Sequence, residues 1–179
     1  MNEANKFLGQ IYNAKLYKAF NIERWASRNS IKKQNDGEHQ CIVSQLAIML
    51  CEHFNVGIQT YRDAVALSVI HDMFEYTDGG MGDVPHHVKE KNPRIKELVE
   101  KHEKSVILNK PIFGSAYAKF TENKLAVKIM ELADAIDVIL YIERELELGN
   151  QNREFMDIFK ETVVRYVKGY KEIKREISR

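Results

Sequence analysis

The heptapeptide VIHDMFE, residues 69–75, sets His71 and Asp72 side by side at the end of an otherwise apolar stretch. Both side chains lose hydration on burial and need partners there. A divalent cation is one such partner, because it accepts an imidazole nitrogen and a carboxylate oxygen together and offsets the carboxylate charge. Two ligands are too few for a stable site. Two further donors stand inside other apolar segments, His39 in GEHQCIVSQL and Asp134 in IMELADAIDVIL. Singly, each has a plain alternative. A chain of this composition gives roughly 0.27 His-Asp pairs by chance, His39 could be a surface residue at a helix start, and Asp134 could pair with a core Arg or Lys. Together, on three helices able to pack on one another, the four point to one metal site.

The elements that would carry these residues are helical. Only three prolines and nine glycines punctuate the chain. A first helix is expected from about Asn5 to Phe20, with Leu8, Ile11, Tyr12 and Leu16 on one face. The segment from Asn21 to Gly37 is irregular in pattern and holds Arg24 and the single tryptophan, Trp25. A second helix opens near Glu38, with Ile42, Val43, Leu46, Met49 and Leu50 as its apolar stripe. Thr60 and Asp63 form a capping-box-like start for a third, which carries His71 and Asp72. TDGGMGDVP is the most loop-like piece. Asn92 and Pro93 suit the cap and first turn of a fourth helix, to about Ile107. LNKPIFGSAYAKF is ambiguous. Thr121 is placed to cap a long helix to Leu148, stopped by Gly149. A last helix runs from about Glu154 to Ile177, with Phe155, Ile158, Phe159, Val163, Tyr166, Val167, Tyr170 and Ile173 at core spacings. No strand alternation is long enough to trust, and no repeat or linker divides the chain. The expectation is a single all-α domain over 1–179, built from about six helices.

Bulk properties exclude several roles. With 179 residues, 44% hydrophobic and 30% charged, the chain has ordinary globular composition. No apolar run approaches the ~20 residues that cross a bilayer, and no secretory h-region opens the sequence, so neither a membrane partner nor export is expected. Cys41 and Cys51 read as small buried apolar groups and suggest no disulfide framework, which makes the cytoplasm the expected compartment. Twenty-seven basic against 26 acidic side chains leave a net charge of +1. That gives no global field for a nucleic-acid polymer. The basic KGYKEIKREISR end suits a helix C-terminus.

The ordered set His, His-Asp, distant Asp within a helical chain resembles the HD-domain phosphohydrolases. Within them it is closest to the 5'-deoxynucleotidases and related small phage deoxynucleotide phosphohydrolases. The residues that carry the likeness are Arg24-Trp25, Glu38-His39, His71-Asp72 with Glu75, Gly82-Asp83-Val84-Pro85 with Lys89, and Ala133-Asp134-Ala135. They span roughly residues 20–150. The Asp78-Gly79-Gly80 piece makes the loop before Asp83 a few residues longer than in the bacterial nucleotidases. The resemblance implies an HD-type helical bundle, a homo-oligomer, and one divalent transition metal, with Co, Mn, Zn, Ni and Fe not distinguished and Mg left open as a second ion. It implies a metal-dependent phosphohydrolase that cleaves the 5'-phosphate from deoxyribonucleoside monophosphates. His39, His71, Asp72 and Asp134 would hold the metal. Glu75 would transfer a proton and Asp83 would position water. Arg24 would grip the phosphate through its planar fork, and Lys89 would add charge. Trp25 would cover the sugar or base, or else anchor the core. His53, His86, His87 and His102 are left as surface residues. Rival readings are a deoxynucleoside triphosphate triphosphohydrolase, a ppGpp-type hydrolase and a non-enzymatic nucleotide sensor.

Overall fold

A computed structural model describes residues 3–14, 16–77, 80, 82, 84, 88, 89, 92–108 and 111–178. Among them the helices are α1 (Glu3–Ala14), α2 (Asp36–Phe54), α3 (Ile58–Ile70), α4 (Met73–Tyr76), α5 (Pro93–Leu108), α6 (Pro111–Thr121), α7 (Lys124–Glu147) and α8 (Arg153–Ile177). Between α1 and α2 lie a 3-10 helix, Leu16–Asn21, and two antiparallel two-residue strands, β1 (Glu23–Arg24) and β2 (Gln34–Asn35). Their register pairs Glu23 with Asn35 and Arg24 with Gln34.

Helix α2 begins where Asn35 supplies a capping box. Its side chain accepts from the Glu38 N–H, and the Glu38 carboxylate accepts from the Asn35 N–H. Such a cap is worth about 1 kcal/mol and fixes the angle at which the first turn enters the core. From there Val43, Ala47, Leu50, Cys51 and Phe54 form the buried stripe. Ile42 and Met49, expected in it, lie about 100° off that row and are exposed. Cys41 is likewise exposed, and only Cys51 is buried.

The stripe packs on Ala64 and Leu67 of α3, on Ala126, Ile129, Leu132 and Ala133 of α7, and on Ile173 of α8. Alanines at 47, 64, 126 and 133 let the three central helix backbones come close, while Leu67 and Ile129 fill the space between them. Helix α7 packs against α2, α3 and α8 and is the axis of the bundle. A second cluster, Tyr141, Ile142 and Phe155 with Trp25 against it, closes the far end.

Several boundaries differ from the sequence reading, each for a local reason. The first expected helix splits into α1 and the 3-10 helix, and Leu8 and Leu16 are exposed. Helix α3 starts at Ile58 behind Gly57, without a side-chain cap. Thr60 and Asp63 instead receive the Asn123 amide, and Asp63 also receives Gln59. The ambiguous stretch contains helix α6. Thr121 finishes that helix, its hydroxyl donating to the Tyr117 and Ala118 carbonyls, and Asn123 caps α7. Asn92 caps α5 as expected, accepting from the Arg94 and Ile95 N–H groups. The count is therefore eight helices among the described residues, where about six were expected.

Candidate metal centre and active site

The α2 stripe has its N-terminal end at His39, four residues before Val43 and fully buried. The same core-facing geometry that buries Val43 thus sends an imidazole into the bundle. Helix α3 stops at Ile70, and Asp72 adopts φ −100 and ψ 11 before α4 begins. His71 and Asp72 therefore lie in the joint between two helices rather than on one continuous face. The break turns both side chains toward His39. Asp134 comes from the middle of α7 and is partly exposed.

Distances from His39 Nε2 are 3.2 Å to His71 Nε2, 3.3 Å to Asp72 Oδ2 and 3.5 Å to Asp134 Oδ1. Asp72 Oδ2 is also 3.3 Å from His71 Nε2, and ligand atoms of His39, His71 and Asp134 all lie within 4.8 Å of one another. Donors about 2.0–2.2 Å from a cation stand about 3.3–3.6 Å apart at tetrahedral angles. The spacings of 3.2–3.5 Å about His39 Nε2 and between Asp72 and His71 lie close to that figure. Tautomers also suit a cation. His71 Nδ1 donates to the Ser68 carbonyl at 2.9 Å, and His39 Nδ1 donates to Asp137 Oδ2 at 2.6 Å. With those protons on Nδ1, each ring can offer its Nε2 lone pair to a cation. Two nitrogens and two carboxylate oxygens are a fitting donor set for a divalent transition metal.

Neighbouring charges and hydrogen bonds set the protonation of these side chains. Burial and the Arg24 charge pull the His39 pKa down, but hydrogen bonds to Asp137 and Asp72 outweigh them and raise it from 6.5 to about 9. Burial alone would raise the Asp72 carboxyl. The His71 charge, the His39 hydrogen bond and the Arg24 charge hold it far below the usual carboxylate range instead. Arg24 Nη1 donates to Asp72 Oδ2 at 2.9 Å and stands 3.6 Å from Asp36 Oδ1. On the outer side, Arg165 Nη2 donates to Asp134 Oδ2 at 3.4 Å.

A family model described as YfbR-like, 5'-deoxynucleotidase YfbR-like, matches residues 11–175. The chain belongs to the YfbR-like 5'-deoxynucleotidase family. It is a metal-dependent deoxynucleotide phosphohydrolase. A curated relative, the 5'-deoxynucleotidase PM0747 of Pasteurella multocida (strain Pm70), is 23% identical over 141 residues, covering 75% of this chain and 72% of its own. Two solved structures share the fold. The HD-domain phosphohydrolase lin2634 of Listeria innocua has a TM-score of 0.76 at 20% identity, over 93% of this chain and 82% of its own. The cyanophage S-2L HD phosphohydrolase DatZ, bound to dA and one catalytic Zn2+ ion, has a TM-score of 0.70 at 18% identity, over 93% of each chain.

The fold brings Arg24, His39, His71, Asp72 and Asp134 into one cluster. Glu75 is buried on the short α4 and does not continue the helix of His71. Gly82 N–H donates to the Glu75 carbonyl at 3.0 Å, and a Cβ on Gly80 would stand 2.4 Å from the Phe74 and Glu75 carbonyl oxygens. Glycine at 80 thus lets the backbone at that residue lie against α4. Asp83, His86 and His87 lie outside the described residues. The Lys89 charge acts on Glu103 of α5, whose carboxyl is raised by burial against that pull. Trp25 turns away from the cation cluster. Its φ is 62, and its ring stacks on Tyr141 at 4.9 Å and leans on Phe155. His53 is exposed and hydrogen-bonds Tyr170.

Three participants escaped the sequence reading. Asp137 holds His39, Asp36 stands behind Arg24, and Glu145 accepts from the Ile31 and Lys32 N–H groups at 2.6 and 2.7 Å. A signal for two of them was present. Asp137 and Glu145 continue the four-residue row of Ile129, Ala133 and Tyr141 along the buried face of α7.

Proposed function

We propose that the chain hydrolyses deoxyribonucleoside 5'-monophosphates to the deoxynucleoside and orthophosphate, with His39, His71, Asp72 and Asp134 holding one divalent transition-metal ion. The convergence of those four donor atoms beside the Arg24 guanidinium carries this reading. The phage relative described with dA and one catalytic Zn2+ ion supports both the deoxynucleotide and the type of metal. Bound there, the ion would lower the pKa of the attacking water and neutralise charge on the phosphoryl oxygens.

The chain's own residues supply the rest. Arg24 grips the phosphate, because a guanidinium donates two parallel hydrogen bonds to adjacent oxygens. Glu75, buried three residues beyond Asp72, takes the proton of the attacking water and returns one to the leaving deoxyribose oxygen. Asp83 orients that water, and Lys89 adds positive charge where the phosphate enters. Trp25, stacked on Tyr141 and leaning on Phe155, anchors the segment that carries Arg24. The active protein is a homo-oligomer in the cytoplasm. No described helix is long and apolar enough to cross a membrane.

A nucleotide panel with product identification tests the reading. Deoxynucleoside monophosphates should release orthophosphate, in a reaction abolished by a chelator and restored by added metal. Release of triphosphate from deoxynucleoside triphosphates, with monophosphates untouched, would replace it.

A further inference from the structure

The two imidazoles of the cluster are held differently. The Nδ1–H of His71 meets a neutral carbonyl, that of Ser68. The Nδ1–H of His39 meets a carboxylate, Asp137, and at 2.6 Å the bond is short, as charge-assisted bonds are. Asp137 is itself almost sealed from solvent, with 3% of its side chain exposed. A buried carboxylate is costly unless charge and hydrogen bonds compensate it. Here His39 and the Gln34 amide compensate it, the Gln34 Nε2 donating toward both Asp137 oxygens at 3.3 and 3.2 Å. Gln34 belongs to β2 and pairs with Arg24 across the two-strand ladder. One hairpin therefore brings Arg24 to the cluster and pins the carboxylate behind His39.

We propose that Asp137 is a positioning residue for the cation site: it fixes the ring of His39, keeps its proton on Nδ1 and makes Nε2 the stronger donor of the two imidazoles. An acceptor carboxylate on the far nitrogen stabilises positive charge developing on the ring as Nε2 gives its lone pair away, and a neutral carbonyl does so less. His39 is then the anchoring ligand, and His71 is the more replaceable one. The inference rests on the proposed four-ligand site, and its test separates the two.

Zn2+ affinity of the full-length, metal-stripped protein is measured by competition with a chromophoric chelator, for wild type, Asp137→Asn and His39→Ala. Asparagine keeps the shape and an acceptor oxygen but loses the charge. Asp137→Asn should bind Zn2+ about 10- to 100-fold more weakly while remaining folded, and His39→Ala should lose the ion. Wild-type affinity in folded Asp137→Asn, with His39→Ala impaired, overturns the inference and leaves the site standing. Undiminished binding by His39→Ala overturns both. A second measurement on the wild type serves even where the variants do not fold. In the Zn2+-loaded protein, nitrogen-resolved proton NMR should show His39 carrying its proton on Nδ1 in a strong hydrogen bond. A His39 that binds Zn2+ through Nδ1, or whose Nδ1 proton exchanges freely, overturns the assignment.

Discussion

Arg24 faces two carboxylates, with Asp72 at 2.9 Å and the fully buried Asp36 at 3.6 Å. A lysine there keeps a positive charge near Asp36 but loses the planar fork that matches a phosphate. Arg24→Lys should therefore melt close to wild type while kcat/KM falls about 10- to 150-fold, the equivalent of ~1.5–3 kcal/mol for one charged hydrogen bond. A variant that melts many degrees lower, yet turns over normally when folded, would make Arg24 a packing residue. Glu75 calls for a different substitution. Glu75→Gln retains shape and burial but cannot accept a proton, so it should keep metal and fold while turnover drops about 100-fold or more. Near-wild-type turnover would remove Glu75 from proton transfer.

The hairpin that carries Arg24 is short, and α7 holds it in place. Glu145 receives the Ile31 and Lys32 N–H groups and the Asn150 amide, Tyr141 donates to the Lys32 carbonyl, and Asn150 also donates to the Asn29 carbonyl. Burial alone would raise the Glu145 carboxyl, but the two backbone N–H groups, Asn150 and the Arg144 charge together lower it below 4.5. A carboxyl whose folded pKa lies below its unfolded value adds stability above the unfolded value, here near 4.5, and loses it as pH falls through the folded one. Glu145→Gln cannot accept at both oxygens and should cost about 1–3 kcal/mol at neutral pH. Melting curves recorded from neutral pH down to about pH 3 should show the gap between wild type and Glu145→Gln narrowing below the ordinary glutamate value. A gap that stays constant across that range would mean the carboxylate does not anchor the hairpin.

Across the whole molecule, what could be read from the sequence was what depends on local chemistry. Helix-forming stretches, the Asn92 start and the Gly149 stop follow from nearby residues, and so does the oddity of His71, Asp72 and Asp134 among apolar neighbours. What escaped depends on contacts between distant segments. Ile42 and Met49 are as hydrophobic as Val43 and Leu50, and only the position of α7 decides which row is buried. Asp63 resembles a helix cap until Asn123, 60 residues away, claims it. Trp25 stands beside Arg24 in sequence, but its backbone reversal at φ 62 sends the two side chains to different neighbours. Asp137 is as out of place in α7 as Asp134, yet its partner is the far nitrogen of His39, which no spacing rule reveals. In the proposed site one ion joins three such distant segments, α2, the α3–α4 joint and α7. Elemental analysis of purified wild type, His71→Ala and Asp72→Ala tests it most directly. About one transition-metal ion per chain is expected in the wild type and none in either variant, because each substitution leaves a low-coordinate ion. Full metal retention in both variants would contradict it.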